Sequence, residues 1–167
     1  LVKSSAASDV YKRQPQRHPE NPILQGENDW ERFASLYGTV LRDPQNRTFK
    51  MWYLTGPQKD GFVQIRGRRA LGNCTLLGYA ESHDGVRWHK PVLNQVDVAG
   101  STANNLIDVG RSNCEGFAVL CDQRDPDPHR RYKGFYWEHG GTDTFVEHEG
   151  RLIWGQGEGD GMWMSFS

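Results

Sequence analysis

The sequence predicts an all-β protein, and two observations support this. Short apolar and aromatic runs alternate with polar residues, and no segment keeps a helical period for the length of a helix. Turn-forming residues separate the runs, since the 167 residues include 19 Gly and 8 Pro. Eight strands follow in chain order: Tyr37–Asp43, Phe49–Leu54, Thr75–Ser82, Val86–Lys90, Gly116–Asp122, Tyr132–Trp137, Arg151–Trp154 and Met162–Ser167.

The residues between these runs define the strand ends. Asp43-Pro44 and Asp84-Gly85 are turn dipeptides, which close a hairpin between two short strands. Longer stretches rich in Gly, polar and charged residues cover 55–74, 91–114 and 138–161. The sequence therefore predicts loops over these three segments.

An internal repeat groups the strands into units. Residues 42–54 resemble residues 124–137, with Arg42 matching Arg124 and Phe49 matching Tyr132, so the second copy has one extra turn residue. Each copy reads as strands A, B, C and D in meander order, and the second copy stops before D. Repeated four-stranded antiparallel units are typical of β-propeller blades, and a two-sheet sandwich is the alternative.

The repeat divides the chain into four parts. Residues 1–14 are similar to a translated sequencing adapter and are left out of the fold prediction. Residues 15–36 form an entry segment, 37–114 the first unit with its connection, and 115–167 a second, shorter unit. We therefore expect about two blades of a longer polypeptide.

Composition excludes several classes of function. The 20 Lys+Arg and 21 Asp+Glu give a formal charge of −1, which argues against a nucleic-acid partner. No apolar run approaches the roughly 18 residues of a membrane helix, so we expect no membrane partner. Neither the three Cys nor the six His have metal-ligand spacing, so we expect no metal site.

Several motifs together resemble a known group of enzymes. FKMWYLTG (49–56), GYAESHDGVRWHKP (78–91), GSTANNLI (100–107) and DPDPHRRYKGFYW (125–137) are similar to segments of bacterial five-bladed β-propeller glycosidases, the relatives of glycoside hydrolase families 32 and 43. The resemblance implies hydrolysis of oligo- or polysaccharides by two carboxylates, without a cofactor. It also implies a monomer when full length, and we expect this segment alone to be inactive.

Two departures from that group keep other functions open. The Trp-Met-Asn-Asp-Pro-Asn-Gly nucleophile signature is absent, and Cys114-Glu115 reverses the order of the Glu-Cys acid signature. One alternative is a carbohydrate-binding propeller without catalysis. The other is a glycoside phosphorylase, which needs a basic phosphate pocket beside one carboxylate.

Blade geometry selects the candidate acids. Propeller glycosidases are expected to carry their site where the inner strands begin, on the side of the B–C loops. Glu115 directly precedes the inner strand of the second unit, and Asp29 and Glu31 precede that of the first. We predict these three as catalytic candidates, since glycoside hydrolysis needs two carboxyl groups flanking the bond. Asp43 and Asp125 occupy A–B turns on the other side and are predicted to be structural.

Six further residues on the same side are predicted to bind the sugar. Aromatic rings can stack on a sugar, amides can bond its hydroxyl groups, and acidic or imidazole groups can contact it from the second B–C loop. These candidates are Trp30, Tyr37, Asn104, Asn105, Glu138 and His139.

Overall fold

The described residues are all-β, with two antiparallel sheets of four and three strands, two separate two-stranded hairpins and almost no helix. The computed structural model describes residues 15–57, 62–65, 68–71, 74–109, 114–138, 145–148, 151–154 and 161–167. Within these ranges the one helical element is a 3₁₀ turn, Pro128–Arg130. Eleven strands are described: β1 Ser35–Arg42, β2 Phe49–Thr55, β3 Phe62–Ile65, β4 Arg68–Leu71, β5 Leu76–Ser82, β6 Leu106–Ile107, β7 Cys114–Cys121, β8 Tyr132–Glu138, β9 Phe145–His148, β10 Arg151–Trp154 and β11 Gly161–Phe166.

The strands pair largely as the repeat predicts. The first sheet has the order β1-β2-β5-β6, and the second has the order β11-β8-β7. Strands A, B and C of the first unit are β1, β2 and β5, and those of the second are β7, β8 and β11. Every neighbouring pair in both sheets is antiparallel, so the predicted meander order is confirmed for these six strands.

The predicted fourth strand of the first unit, Val86–Lys90, is wrong. The backbone N–H groups of Val86 and Arg87 donate to the Asp84 carboxylate, which turns the chain away from the sheet. One isolated bridge, Glu81 to His89, remains at this edge. The fourth place in the sheet belongs to β6, whose residues pair with Leu77 and Gly78.

Two segments predicted as loops contain short hairpins. Strands β3 and β4 pair within 55–74, and β9 and β10 pair within 138–161. Strand β10 matches the predicted Arg151–Trp154. The three strands that were not predicted, β3, β4 and β9, have only four residues each, which is too short for alternation to distinguish a strand from a loop.

The two sheets pack against each other through β1, β2 and β7. The shared core joins Trp52, Leu54 and Leu77 of the first sheet to residues of the second, Cys114, Phe117 and Tyr136. Leu77 is 1% exposed, and burial of such a side chain contributes about 1.5–3 kcal/mol. The Thr39 hydroxyl also accepts a hydrogen bond from the Val119 backbone N–H at 2.9 Å, which links β1 to β7.

The other face of the first sheet carries a separate core of Met51, Tyr53 and Ala80. Leu24 and Ala34 from the entry segment and Trp88 pack on it. Side chains alternate along a strand, so Tyr53 lies on the opposite face from Trp52 and Leu54. The entry segment therefore covers the face of the first sheet that points away from the second.

Each sheet has an Asp–Lys ion pair where strand A turns into strand B. Asp43 accepts hydrogen bonds from the N–H groups of Gln45 and Asn46 and pairs with Lys50 at 3.0 Å. In the second sheet Lys133 pairs with both Asp122 and Asp125 at 2.8 Å. Donation from Lys50, then from Gln45, lowers the pKa of Asp43. The turn function predicted for Asp43 and Asp125 is confirmed by these contacts.

The register corrects one detail of the repeat. Arg42 lies opposite Phe49, and Cys121 lies opposite Tyr132. Asp43 therefore corresponds to Asp122 rather than to Asp125. The connection is six residues long in the first unit (43–48) and ten in the second (122–131), so the insertion is four residues rather than one.

Replacing Asp43 by Asn should lower stability in a pH-dependent way and leave any activity of the full-length protein intact. We expect a loss of about 1 kcal/mol at neutral pH, because Asn keeps much of the turn bonding but not the charge. The lowered pKa means that the stabilising contribution exists above the unfolded value near 3.8 and disappears as the pH falls through the folded value. Urea unfolding of wild type and Asp43→Asn at pH 7 and pH 3 should therefore converge at the lower pH. If the full-length protein is an enzyme, a hundredfold loss of turnover in a folded variant would contradict the structural function of Asp43.

Candidate functional site

The starts of β1 and β7 lie at equivalent ends of the two sheets. Ser35 at the start of β1 lies opposite Leu54 near the end of β2, and Cys114 at the start of β7 lies opposite Glu138 at the end of β8. We call this end of the sheets the starting edge. Asp43 lies at the other end, in the turn between β1 and β2.

Glu115 and Glu138 both lie at the starting edge of the second sheet. Glu115 is exposed, and Glu138 is buried at 1% exposure. Glu115 lies opposite Trp137, the residue before Glu138. Strand β7 begins at Cys114, so Glu115 is the second residue of the strand and not, as predicted, the residue before it. The two carboxyl groups thus differ strongly in environment while belonging to one strand pair.

The Cys114 thiol lies within electrostatic reach of both carboxylates. Burial, then the negative charges of Glu138 and Glu115, raise the pKa of Cys114 to about 12. The thiol is therefore protonated at neutral pH and is a weak nucleophile. Both acids therefore lie within electrostatic range of the Cys114 thiol, from the two faces of the β7–β8 pair.

Local backbone geometry makes Glu115 accessible. The pairing of β7 with β8 shifts between Glu115 and Ala118, and Gly116 within this bulge has φ of +63°. Glycine adopts this left-handed conformation without the penalty that a Cβ imposes. The bulge interrupts the regular ladder next to Glu115, and bulges are known to redirect side chains beside active sites.

Glu31 lies in a different place, at the centre of a buried polar network. Its side chain is fully buried. One oxygen accepts a hydrogen bond from the Tyr53 hydroxyl, and the other accepts one from Lys90 Nζ at 2.7 Å. The second oxygen also accepts from Asn28 Nδ2 at 3.2 Å and from the Glu27 N–H at 3.3 Å. Both oxygens are thus occupied by donors from the protein itself.

Trp30 and Asn105 belong to the same network. Asn105 Nδ2 donates to the Tyr53 hydroxyl at 2.7 Å and to the Tyr79 carbonyl at 2.9 Å, and its Oδ1 accepts from Trp30 Nε1 at 3.2 Å. Burial, then donation to Glu31, raises the pKa of Tyr53 well above its usual range. The polar groups of Trp30 and Asn105 are therefore engaged within the protein, on the face of the first sheet that carries Tyr53.

Sequence reasoning missed Tyr53 and Lys90 as members of this network. Tyr53 is one of the alternating residues of an apolar strand and looks like ordinary core. Lys90 ends the run that was predicted as a strand, yet its ammonium group also donates to the Gln25 carbonyl at 2.7 Å. The sequence offers one signal for this network, a tyrosine within an otherwise apolar strand, because a buried hydroxyl group needs a hydrogen-bond partner.

The remaining predicted residues do not gather at one point. Asn104 is buried and holds its own loop, because Nδ2 donates to the Val96 carbonyl at 2.7 Å and Oδ1 accepts from the Leu106 N–H at 3.1 Å. Asp29 is exposed in the entry segment, and Tyr37 is 71% exposed on β1. His139 lies outside the described residues. Of the nine predicted site residues, the structure brings together one trio, Trp30, Glu31 and Asn105, and one pair, Glu115 and Glu138.

An open cleft of about 600 Å³ lies against the Tyr53 face of the first sheet. Its walls come from Arg17, residues 21–24 and 34–36, Met51 and Tyr53. None of the predicted site residues lines it. The described residues contain no group of three or more His, Cys, Asp or Glu side chains that could hold a metal ion. No helix in the same ranges is long and apolar enough to cross a membrane.

Comparison with known proteins gives no assignment for the chain. No protein family, curated protein or solved structure matches it. A functional proposal therefore rests on the sheets, on the sequence motifs and on the two groups of predicted residues, Trp30, Glu31 and Asn105 in one and Glu115 and Glu138 in the other.

Proposed function

We propose that the chain belongs to a glycoside hydrolase built on a β-propeller, with Glu115 and Glu138 as its two carboxyl groups. The observation that carries the proposal is that an exposed and a buried carboxyl group share the starting edge of one strand pair. Two-carboxylate glycoside hydrolysis requires such a difference in environment, because one group must be protonated while the other is ionised.

The way in which the two sheets pack favours a propeller over a sandwich. The register makes Trp52 and Leu54 equivalent to Phe135 and Trp137. The first sheet, however, meets the face of the second that carries Phe117 and Tyr136. The face that the first sheet uses in this contact is therefore not the equivalent of the face that the second sheet uses. Two equivalent units that meet through different faces are arranged head to tail. Repeated head-to-tail contacts generate rings when the rotation closes.

The surroundings of Glu115 fit a sugar-binding surface. Trp137 lies opposite Glu115 on the neighbouring strand, and an aromatic ring beside a carboxylate can hold a sugar ring against it. Successive side chains on a strand point to opposite faces, so Glu115 and Glu138 approach the starting edge from the two sides of the sheet. A glycosidic bond held between them therefore lies across the end of the β7–β8 pair.

A carbohydrate-binding protein without catalysis is the second candidate function. Glu31 favours it, because both of its oxygens already accept hydrogen bonds from the protein. Tyr37, 71% exposed on the inner strand, offers a free ring for sugar stacking. In that case the complete polypeptide binds sugars and leaves them intact.

A substrate screen of the complete gene product tests the proposal. We expect release of reducing sugar from at least one plant or algal polysaccharide or its oligosaccharides, without added phosphate or metal. Binding detected by calorimetry without product release would establish the second candidate instead. Turnover that requires inorganic phosphate would identify a phosphorylase and would overturn hydrolysis.

A further inference from the structure

The starting edge of the second sheet differs from that of the first on the face that carries Tyr136. Register and strand pairing define equivalent positions in the two sheets, and paired residues of neighbouring strands project to the same face. Three equivalent positions on this face differ in character, given with the first sheet first: Thr55 and Glu138, Leu76 and Gly161, and Gly78 and Trp163. A hydroxyl group, a large apolar side chain and a glycine are thus replaced by a carboxyl group, a glycine and an indole.

In the first sheet the protein's own side chains fill this region. Leu76 is 5% exposed and belongs to an apolar cluster with Val96 and Leu106. A Cβ atom on Gly78 would lie 2.6 Å from Cζ of Tyr53, so the glycine leaves room for the tyrosine ring. No such ring or cluster is needed to explain the residues at the same positions of the second sheet.

In the second sheet the equivalent positions leave space beside Glu138. Gly161 lies directly opposite Glu138, and a Cβ atom on Gly161 would have no atom of the described residues within 4 Å, apart from its chain neighbours. Trp163 lies two residues further along, opposite Tyr136, and is 37% exposed. Tyr136 itself stacks on Phe117, with 5.0 Å between the ring centroids, in the core that the two sheets share. The space is therefore on the face of the second sheet that is turned toward the first.

We propose that Gly161 and Trp163 form a sugar subsite beside Glu138. A sugar ring has an apolar face that stacks on an indole, and its hydroxyl groups can bond a carboxyl group. The glycine leaves the room that this ring needs. A carboxyl group at this point disfavours sugars that carry carboxylate or sulfate groups, so the subsite takes neutral oligosaccharides. The subsite rests on the proposed function for the part played by Glu138, and it places one sugar unit on the opposite face of the sheet from Trp137.

Nuclear magnetic resonance of the 167-residue chain tests the subsite, with cellohexaose, xylohexaose, arabinohexaose and maltohexaose as probes. At least one probe should shift the indole N–H resonance of Trp163, with a Kd of about 1 mM. The resonance of Trp52, which is buried between the sheets, should stay in place. Loss of one indole signal in Trp163→Phe identifies the resonance of Trp163.

Calorimetry compares variants of the same chain. Gly161→Leu introduces the residue type of the first sheet, and it should weaken binding at least about tenfold, because its side chain fills the space. Trp163→Ala should weaken binding by about tenfold through the loss of stacking. Met162→Leu is the matched control, since it also introduces the residue type of the first sheet, that of Leu77, but lies opposite Trp137 on the other face. It should bind like the wild type.

The remaining outcomes decide against the subsite or against hydrolysis separately. The subsite is rejected if no probe shifts the Trp163 resonance, or if Gly161→Leu and Trp163→Ala bind as tightly as the wild type. Hydrolysis by the complete gene product without a shift at Trp163 would reject the subsite alone. A shift at Trp163 without any hydrolysis by the complete gene product would support the subsite and reject the hydrolase.

Discussion

If the full-length protein is the proposed hydrolase, replacing Glu115 by Gln is expected to lower turnover of the natural substrate by about 10²- to 10⁴-fold, the usual contribution of a general acid–base group. Gln keeps the size and hydrogen bonding of the side chain but neither ionises nor donates a carboxylic proton. Glu115 is exposed, so the substitution should leave the free energy of unfolding within about 0.5 kcal/mol of wild type. Substrate binding should survive, because the side chain still occupies the same position.

A second substrate identifies which step Glu115 serves. On an activated aryl glycoside the loss should be much smaller if Glu115 is the acid, since a good leaving group needs little protonation. Equal losses on both substrates indicate the base or the nucleophile. Glu20→Gln is the matched control, because Glu20 is also an exposed carboxylate, 50% accessible and paired with Arg87. Wild-type rates for Glu115→Gln on both substrates would remove Glu115 from the site and leave Asp29 as the exposed candidate.

Strand order could be predicted from the sequence, and the partners of buried polar groups could not. The repeat, and short runs rich in apolar and aromatic residues between turn residues, indicated β1, β2, β5, β7, β8 and β11. Val86–Lys90 alternates apolar and polar residues, but the carboxylate of Asp84 captures its backbone N–H groups. Alternation reports which side chains can be buried, and it does not report where the backbone hydrogen bonds go.

The candidate site shows the same limit. Glu31 and Glu115 occupy similar positions in the sequence, shortly before or at the start of an inner strand. In the structure Glu31 is fully buried and Glu115 is exposed. The difference arises from Lys90, which is 59 residues away in the chain and donates to Glu31. A contact over that distance depends on how the entry segment folds onto the first sheet, and no local pattern encodes it.

Replacing Lys90 by Met should be the most destabilising of the substitutions considered, with a loss of about 3 kcal/mol in the free energy of unfolding. Removal of one partner from a buried ion pair leaves an uncompensated charge and typically costs about 3–5 kcal/mol. Glu31 is fully buried and Lys90 is 13% exposed, so the lower end of that range applies. Met preserves the aliphatic stem, and the loss therefore measures the ammonium group rather than packing.

Urea unfolding of the 167-residue chain at neutral pH measures this loss, with Arg87→Met as the matched control. Arg87 also pairs with two acids, Glu20 and Asp84, but it is 74% exposed, and such surface pairs contribute about 0–1 kcal/mol. The double variant Lys90→Met/Glu31→Gln should recover part of the loss, because the buried charge is then gone as well. A Lys90→Met variant within 1 kcal/mol of wild type would show that water or a rearranged loop replaces the ammonium group. Glu31 would in that case be accessible, and it would return as a catalytic candidate beside Glu115.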